Sequence, residues 1–147
     1  MGLRSLSALA PSATDAAYIA GLVDGEGTIT LVRQHSRGRE RRTVRVSIAN
    51  NDLPLLEWVR SVIGVGVICS KPPRKATHKT AYELRLDSRR ALEFLGPIEP
   101  YLRTYKRRRA ELILRRYVAL TPGNGKYTPE MNAEREAFEA EVLAIRP

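Results

Sequence analysis

Hydrophobic positions along this chain recur with two different periods, and the switches between them mark its elements. From Ala16 to Asp24 the apolar residues Ile19, Leu22 and Val23 fall at helical spacing. This predicts a buried helix capped by Ser12 or Thr14, with Asp15 in its first turn. Thr28 to Gln34 and Thr43 to Asn50 read as strands joined by a basic loop, His35 to Arg42. In the second strand Val44, Val46 and Ile48 alternate with Arg45, Ser47 and Ala49, the period of a sheet with one apolar and one polar face. Asn51 or Asp52 then caps a short helix through Val62, with Pro54 near its first turn and Gly64 and Gly66 beyond its end. A second hairpin is expected from Val65 to Lys71 and Thr80 to Asp87, with Tyr82, Leu84 and Leu86 inward and Glu83 and Arg85 outward. Ser88 is expected to cap a helix through Leu95 that Pro97 and Pro100 interrupt, and Tyr101 or Arg103 opens another to about Leu120. After a loop from Thr121 to Tyr127, Thr128, Pro129 and Glu130 supply a cap, a first-turn proline and a dipole-matched acid for a last helix reaching Ile145.

The first helix carries a second pattern. Ala17, Gly21 and Gly25 fall at i, i+4 and i+8, a stripe without side chains, although each interior glycine costs roughly 0.5–1 kcal/mol against alanine. Such a stripe suits very close approach of another backbone, and the acids Asp24 and Glu26 stand at its end. The nine residues from Ile19 to Gly27, IAGLVDGEG, resemble the signature helix of the LAGLIDADG homing endonucleases. They keep alanine and glycine in second and third place, aspartate in sixth, an acid in eighth and glycine in ninth. The predicted order of elements agrees with the family from about residue 14 to 119. The resemblance implies an α+β protein with the α-β-β-α-β-β-α LAGLIDADG fold and a four-stranded antiparallel, saddle-shaped sheet. It also implies a homodimer through the signature helix, with Ala17, Gly21 and Gly25 at the interface. Residues 1–13 would be an N-terminal extension, 14–120 the core, and 121–147 a loop and C-terminal helix.

Charge narrows the partner. The 147 residues carry net charge +9, and residues 28–120 hold 21 Lys and Arg against 8 Asp and Glu, so a polyanion is the natural partner. No run approaches 18 consecutive apolar residues, which argues against a membrane span. Cys69 is alone and only His35 and His78 are present, so neither an internal disulfide nor a zinc-ligand set is available. A soluble protein of a prokaryotic cytoplasm or nucleoid is expected, with an organelle as the other setting; 20 Arg against 5 Lys suits G+C-rich codons.

Through the resemblance, Glu26 is expected to hold divalent metal with the Gly25 carbonyl, Mg2+ or Mn2+ being the ions that hard oxygen ligands select. Lys106 matches the family's catalytic-site lysine, and Asn50 (Asn51 on a one-residue slip) its solvent-organising polar residue. The expected DNA-contacting side chains are Thr28, Thr30, Gln34, Arg45 and Ser47 from the first hairpin, and Lys71, Glu83 and Arg85 from the second. Arg37, Arg39, Arg41, Arg42, Arg74, Lys75 and Lys79 would meet phosphates from the loops. The implied function is site-specific, metal-dependent double-strand cleavage of a long pseudo-palindromic DNA. An RNA-binding intron maturase and a catalytically inactive DNA-binding regulator are the alternatives.

Overall fold

Helix α1 (Ala13–Glu26) leads the computed structural model, which describes residues 10–36, 39–73, 75, 79–123 and 126–147. Ser12, not Thr14, caps it, its hydroxyl accepting from the Asp15 N–H at 3.1 Å. Strand β1 (Gly27–Ser36) follows with no intervening loop. A Cβ on Gly27 would lie 2.8 Å from the Val23 Cα, so only glycine allows the chain to leave the helix this tightly.

β1 pairs antiparallel with β2 (Arg39–Asn50) from Gly27 opposite Ile48 to Ser36 opposite Arg39. The expected loop from His35 to Arg42 is therefore mostly strand, and Arg39, Arg41 and Arg42 are ladder residues, not loop residues. Polar cross-strand partners support this outer stretch where apolar alternation stops: Arg33 pairs with Glu40 at 3.4 Å, and the Thr43 hydroxyl donates to Gln34 at 2.7 Å.

Helix α2 (Leu53–Ile63) is capped by Asp52 and ends at Gly64, whose φ of 88° is left-handed. Strands β3 (Val67–Lys71) and β4 (Ala81–Asp87) form the second hairpin, and the sheet order is β1-β2-β4-β3, antiparallel throughout. Helix α3 (Arg89–Ile98) differs from expectation at both ends. Ser88, at φ 54°, makes no capping bond and sets its hydroxyl 3.3 Å from the Tyr117 hydroxyl. Pro97 lies within the last turn, forfeiting one backbone bond without ending the helix. A 3-10 turn (Glu99–Tyr101) leads to α4 (Tyr105–Arg116), which Thr104 caps, and Thr128 caps α5 (Pro129–Ala144).

One face of the sheet is the core. Ile29, Leu31, Val44, Val46, Ile48, Leu84 and Leu86 are buried there and share one cluster with Ile19 and Val23 of α1, Leu56 and Val59 of α2 and Phe94 of α3. Phe138 and Val142 bring α5 into the same cluster, whereas Tyr82, expected inside, is only half-buried. The opposite face stays open, with Thr28, Ala49 and Lys71 exposed. No helix among the described residues is long and apolar enough to cross a membrane.

Candidate functional site

The carboxyl end of α1 is held by three other parts of the chain. Asp24 accepts the Arg103 N–H at 2.8 Å, the Thr104 N–H at 3.1 Å and the Thr104 hydroxyl at 2.5 Å. Partial burial pushes its pKa up, but these bonds and the charge of Lys106 prevail and hold it below the usual 3.8. Lys106 donates to the carbonyls of Val23 at 3.0 Å and Asp24 at 2.9 Å, neutralising the negative end of the helix. Burial lowers its pKa below the usual 10.5, against the opposing pull of Asp24. Two of its three protons are thus committed to α1. The lysine is tethered at this helix end, while its neighbours on α4 face elsewhere: Arg107 meets Glu99, Arg108 meets the Arg146 carbonyl, and Arg109 meets the carbonyls of Ile29 and Ile145.

Glu26, the last residue of α1, is exposed. The Asn50 side-chain amide at the end of β2 donates to its Oε2 at 2.7 Å, and the Asn50 Oδ1 accepts the Asp52 N–H at 2.8 Å. Asn50, rather than Asn51, therefore connects the acid to the start of α2. No group of three or more His, Cys, Asp or Glu that could hold a metal occurs among the described residues. At this helix end the exposed Glu26 carboxylate is a hard oxygen donor of the kind that could help hold a divalent cation.

The small-residue stripe opens away from the core. Ala17, Gly21 and Gly25 are exposed, and a Cβ added at Gly21 or Gly25 would find none of the described residues within 4 Å. Beside the stripe, Tyr18 is 56% exposed and packs edge-on against Trp58.

On the open sheet face the ladder register brings Thr28, Thr30 and Gln34 of β1 beside Ser47, Arg45 and Arg41 of β2. Glu83 and Arg85 of β4 and Lys71 of β3 complete that face. Three of its cations are bound to acids. Arg45 makes a bidentate pair with Asp87, 2.7 Å and 3.0 Å, whose hydrogen bond raises the pKa of the arginine, and Glu83 contacts Arg85 at 2.8 Å and Lys71 at 3.6 Å. Glu83 is buried, so it is a partner for these cations more than a free contact. Arg42 departs from the expected set: it shares parity with Val44 and lies on the core side, its backbone N–H donating to Glu139 and its carbonyl accepting from Arg135 at 2.6 Å. Lys75 and Lys79 are exposed between β3 and β4, and Arg41 lies over the Tyr127 ring at 3.4 Å. Arg37 and Arg74 lie outside the described residues, as does the side chain of Arg39.

Sequence reasoning did not assign Asp24, Asp87 or the Arg135–Glu139 pair. Asp87 shares parity with Glu83 and Arg85, which would have placed it on the open face. Val67, 51% exposed, and Cys69 also lie there; with Arg85, Asp87, Ser88, Arg89 and Arg90 they line a hollow of about 540 Å3.

A helix ending in an acid, with small residues along its outer face and two antiparallel hairpins behind it, defines a class of fold. Residues 13–99 match the model of the LAGLIDADG-like domain, and the chain belongs to that family. Among solved structures it is similar to the homing endonuclease I-CvuI, at 19% identity and a TM-score of 0.72, over 90% of this chain and 82% of that one. It is also similar to the archaeal intron-encoded homing endonuclease I-Vdi141I, at 19% identity and a TM-score of 0.68, over 91% and 85%. For I-GzeII the values are 17% and 0.67, over 90% of this chain but 44% of that one. No curated protein sequence matches.

Proposed function

We propose that this chain is a homodimeric, divalent-metal-dependent, site-specific DNA endonuclease. The observation that carries the reading is the exposed Glu26, tied to Asn50 at the end of a glycine stripe that none of the described residues covers. Family membership supports nuclease chemistry, and the similar folds I-CvuI and I-Vdi141I are described in complex with DNA, the former in Mg and in Ca. The chain accounts for most of I-CvuI but under half of I-GzeII, which leaves room in I-GzeII for a second unit. A second copy would supply that unit here.

Phosphodiester hydrolysis needs an in-line water, neutralisation of charge at phosphorus, and acid–base groups near the attacked phosphate. Glu26 from each copy, with the Gly25 carbonyl, would hold Mg2+ or Mn2+, which supplies charge neutralisation and a more acidic water. Asn50 fixes the Glu26 carboxylate through Oε2, so its orientation is set before DNA arrives. Lys106, held by two carbonyls, keeps one N–H at the same helix end, to stabilise charge on the phosphate. The open sheet face receives the duplex, with its ladder residues toward base edges and the exposed lysines Lys75 and Lys79 toward phosphates.

The test is cleavage in Mg2+ of a duplex selected from a random library, by the native chain and by Glu26→Gln. The expected result is a double-strand break by the native chain alone, with binding kept in both. Binding without cleavage by either would replace the endonuclease with a DNA-binding regulator.

A further inference from the structure

We propose that Asp87 is a positioning residue for sequence readout: it fixes Arg45 so that the guanidinium reads a guanine and is withheld from phosphates. The inference rests on the DNA-binding reading above. Arg45 on β2 and Asp87 on β4 are direct partners in the ladder, and Thr30 stands opposite Arg45 on its other side. The Arg45 Nε donates to Oδ1 at 2.7 Å and Nη2 to Oδ2 at 3.0 Å, so both the place and the plane of the guanidinium are set. Its side chain remains 29% exposed and that of Asp87 42%, so the pair sits at the surface within reach of a ligand.

A guanidinium has five N–H groups, and Asp87 takes the one on Nε and one on Nη2. The far edge then offers one N–H from each of Nη1 and Nη2, a second fork matching O6 and N7 of guanine in the major groove. The carboxylate also sets the sign of the preference. A phosphate approaching Arg45 places a second anion beside Asp87, whereas the guanine acceptors are neutral. The pair itself adds little net charge, which leaves non-specific attraction to cations such as Lys75 and Lys79. The neighbouring arginine lacks this arrangement: Arg85 meets Glu83 through Nη2, and its buried Nε has no hydrogen-bond partner among the described residues.

The experiment selects duplexes from a random library with the native chain, Asp87→Asn and Arg45→Lys, then titrates salt on the native-selected duplex and on an unrelated one. The native chain is expected to enrich guanine at one position of each half-site that the variants no longer require. Asp87→Asn should relax that position alone by about tenfold. It should also bind the unrelated duplex more tightly, with a salt slope steeper by about 0.9 per protomer. Arg45→Lys, which keeps the charge but loses the fork, should relax the same position with no change in salt slope. An Asp87→Asn profile that kept its guanine and lost affinity equally for every duplex would reduce Asp87 to a structural role and overturn the proposal. Enrichment in which no guanine responds to Arg45→Lys would overturn it while sparing the DNA-binding reading; no enrichment by the native chain would remove both.

Discussion

Replacing Gly21 by leucine separates the two uses a small residue can have in a helix. In a single chain the change meets no obstacle among the described residues, because none of them lies within 4 Å of an added Cβ at Gly21 and the position is exposed. Leucine is a better helix former than glycine by about 0.7 kcal/mol in a helix interior. For a domain of this size that corresponds to about 2 °C in Tm. The isolated Gly21→Leu chain should therefore melt slightly above the isolated native chain. In a dimer the same side chain stands in the seam, keeps the helices apart and abolishes association. Native Tm should rise with protein concentration because only the folded dimer is stabilised by mass action, while the variant Tm stays flat. Melting curves from nanomolar to tens of micromolar, with sedimentation at each end, make the comparison. A variant that stays dimeric and cuts DNA would refute the interface assignment. A monomeric variant melting well below the dilute native chain would show instead that Gly21 packs within its own chain.

Two further outcomes follow from the polar contacts. Asp24 is held below its usual pKa, so its stabilisation is fully present above the unfolded value of about 3.9 and disappears as pH falls through the lower folded value. Asp24→Asn should lower Tm at pH 6, and the deficit should close below pH 4; a deficit constant with pH would contradict the ionic role. Arg135 is 3% exposed and bonds Glu139, the Leu120 carbonyl, the Thr121 hydroxyl and the Arg42 carbonyl, so Arg135→Met leaves a nearly buried carboxylate with reduced compensation. That should cost about 3–5 kcal/mol, or roughly 10 °C in Tm, and Glu139→Met added to it should recover much of the loss in the same melting assay.

The parts of the fold legible in the sequence are those where apolar alternation and a cap coincide. Val44 to Ile48 announces a strand facing the core, and Thr128-Pro129-Glu130 announces a helix start, because each signal is local. The outer half of the first hairpin was not legible. From Arg39 to Arg42 every residue is charged, and what holds them in a ladder is pairing with Arg33 to Ser36 on the facing strand. The site divides in the same way. Glu26 and the glycine stripe stand within nine consecutive residues of a recognisable pattern. Asp24 acts through Arg103 and Thr104, and Arg135 through Arg42, contacts made between distant parts of the chain that no local period encodes.

The direct junction between α1 and β1 ties the acid to the proposed recognition surface. Glu26 ends the helix and Gly27 begins the strand, so no loop separates the proposed cleavage group from Thr28, the first residue of the proposed DNA-contacting face. Asn50 and Lys106 hold that junction from β2 and α4, which fixes the distance from acid to each ladder position. From Gly27 to Ser36 the arm has ten residues, and at about 3.3 Å per residue it spans roughly 30 Å, close to one turn of duplex at about 34–36 Å. Two copies meeting at the stripe would place their acids together at the centre and send one arm along each half-site. The protected duplex should then cover about two turns, on the order of 20 base pairs, with cleavage at its middle. Nuclease footprinting of the selected duplex measures both quantities. Protection of a single turn, or cutting at one end of the protected stretch, would mean that the acids do not meet at the dimer axis.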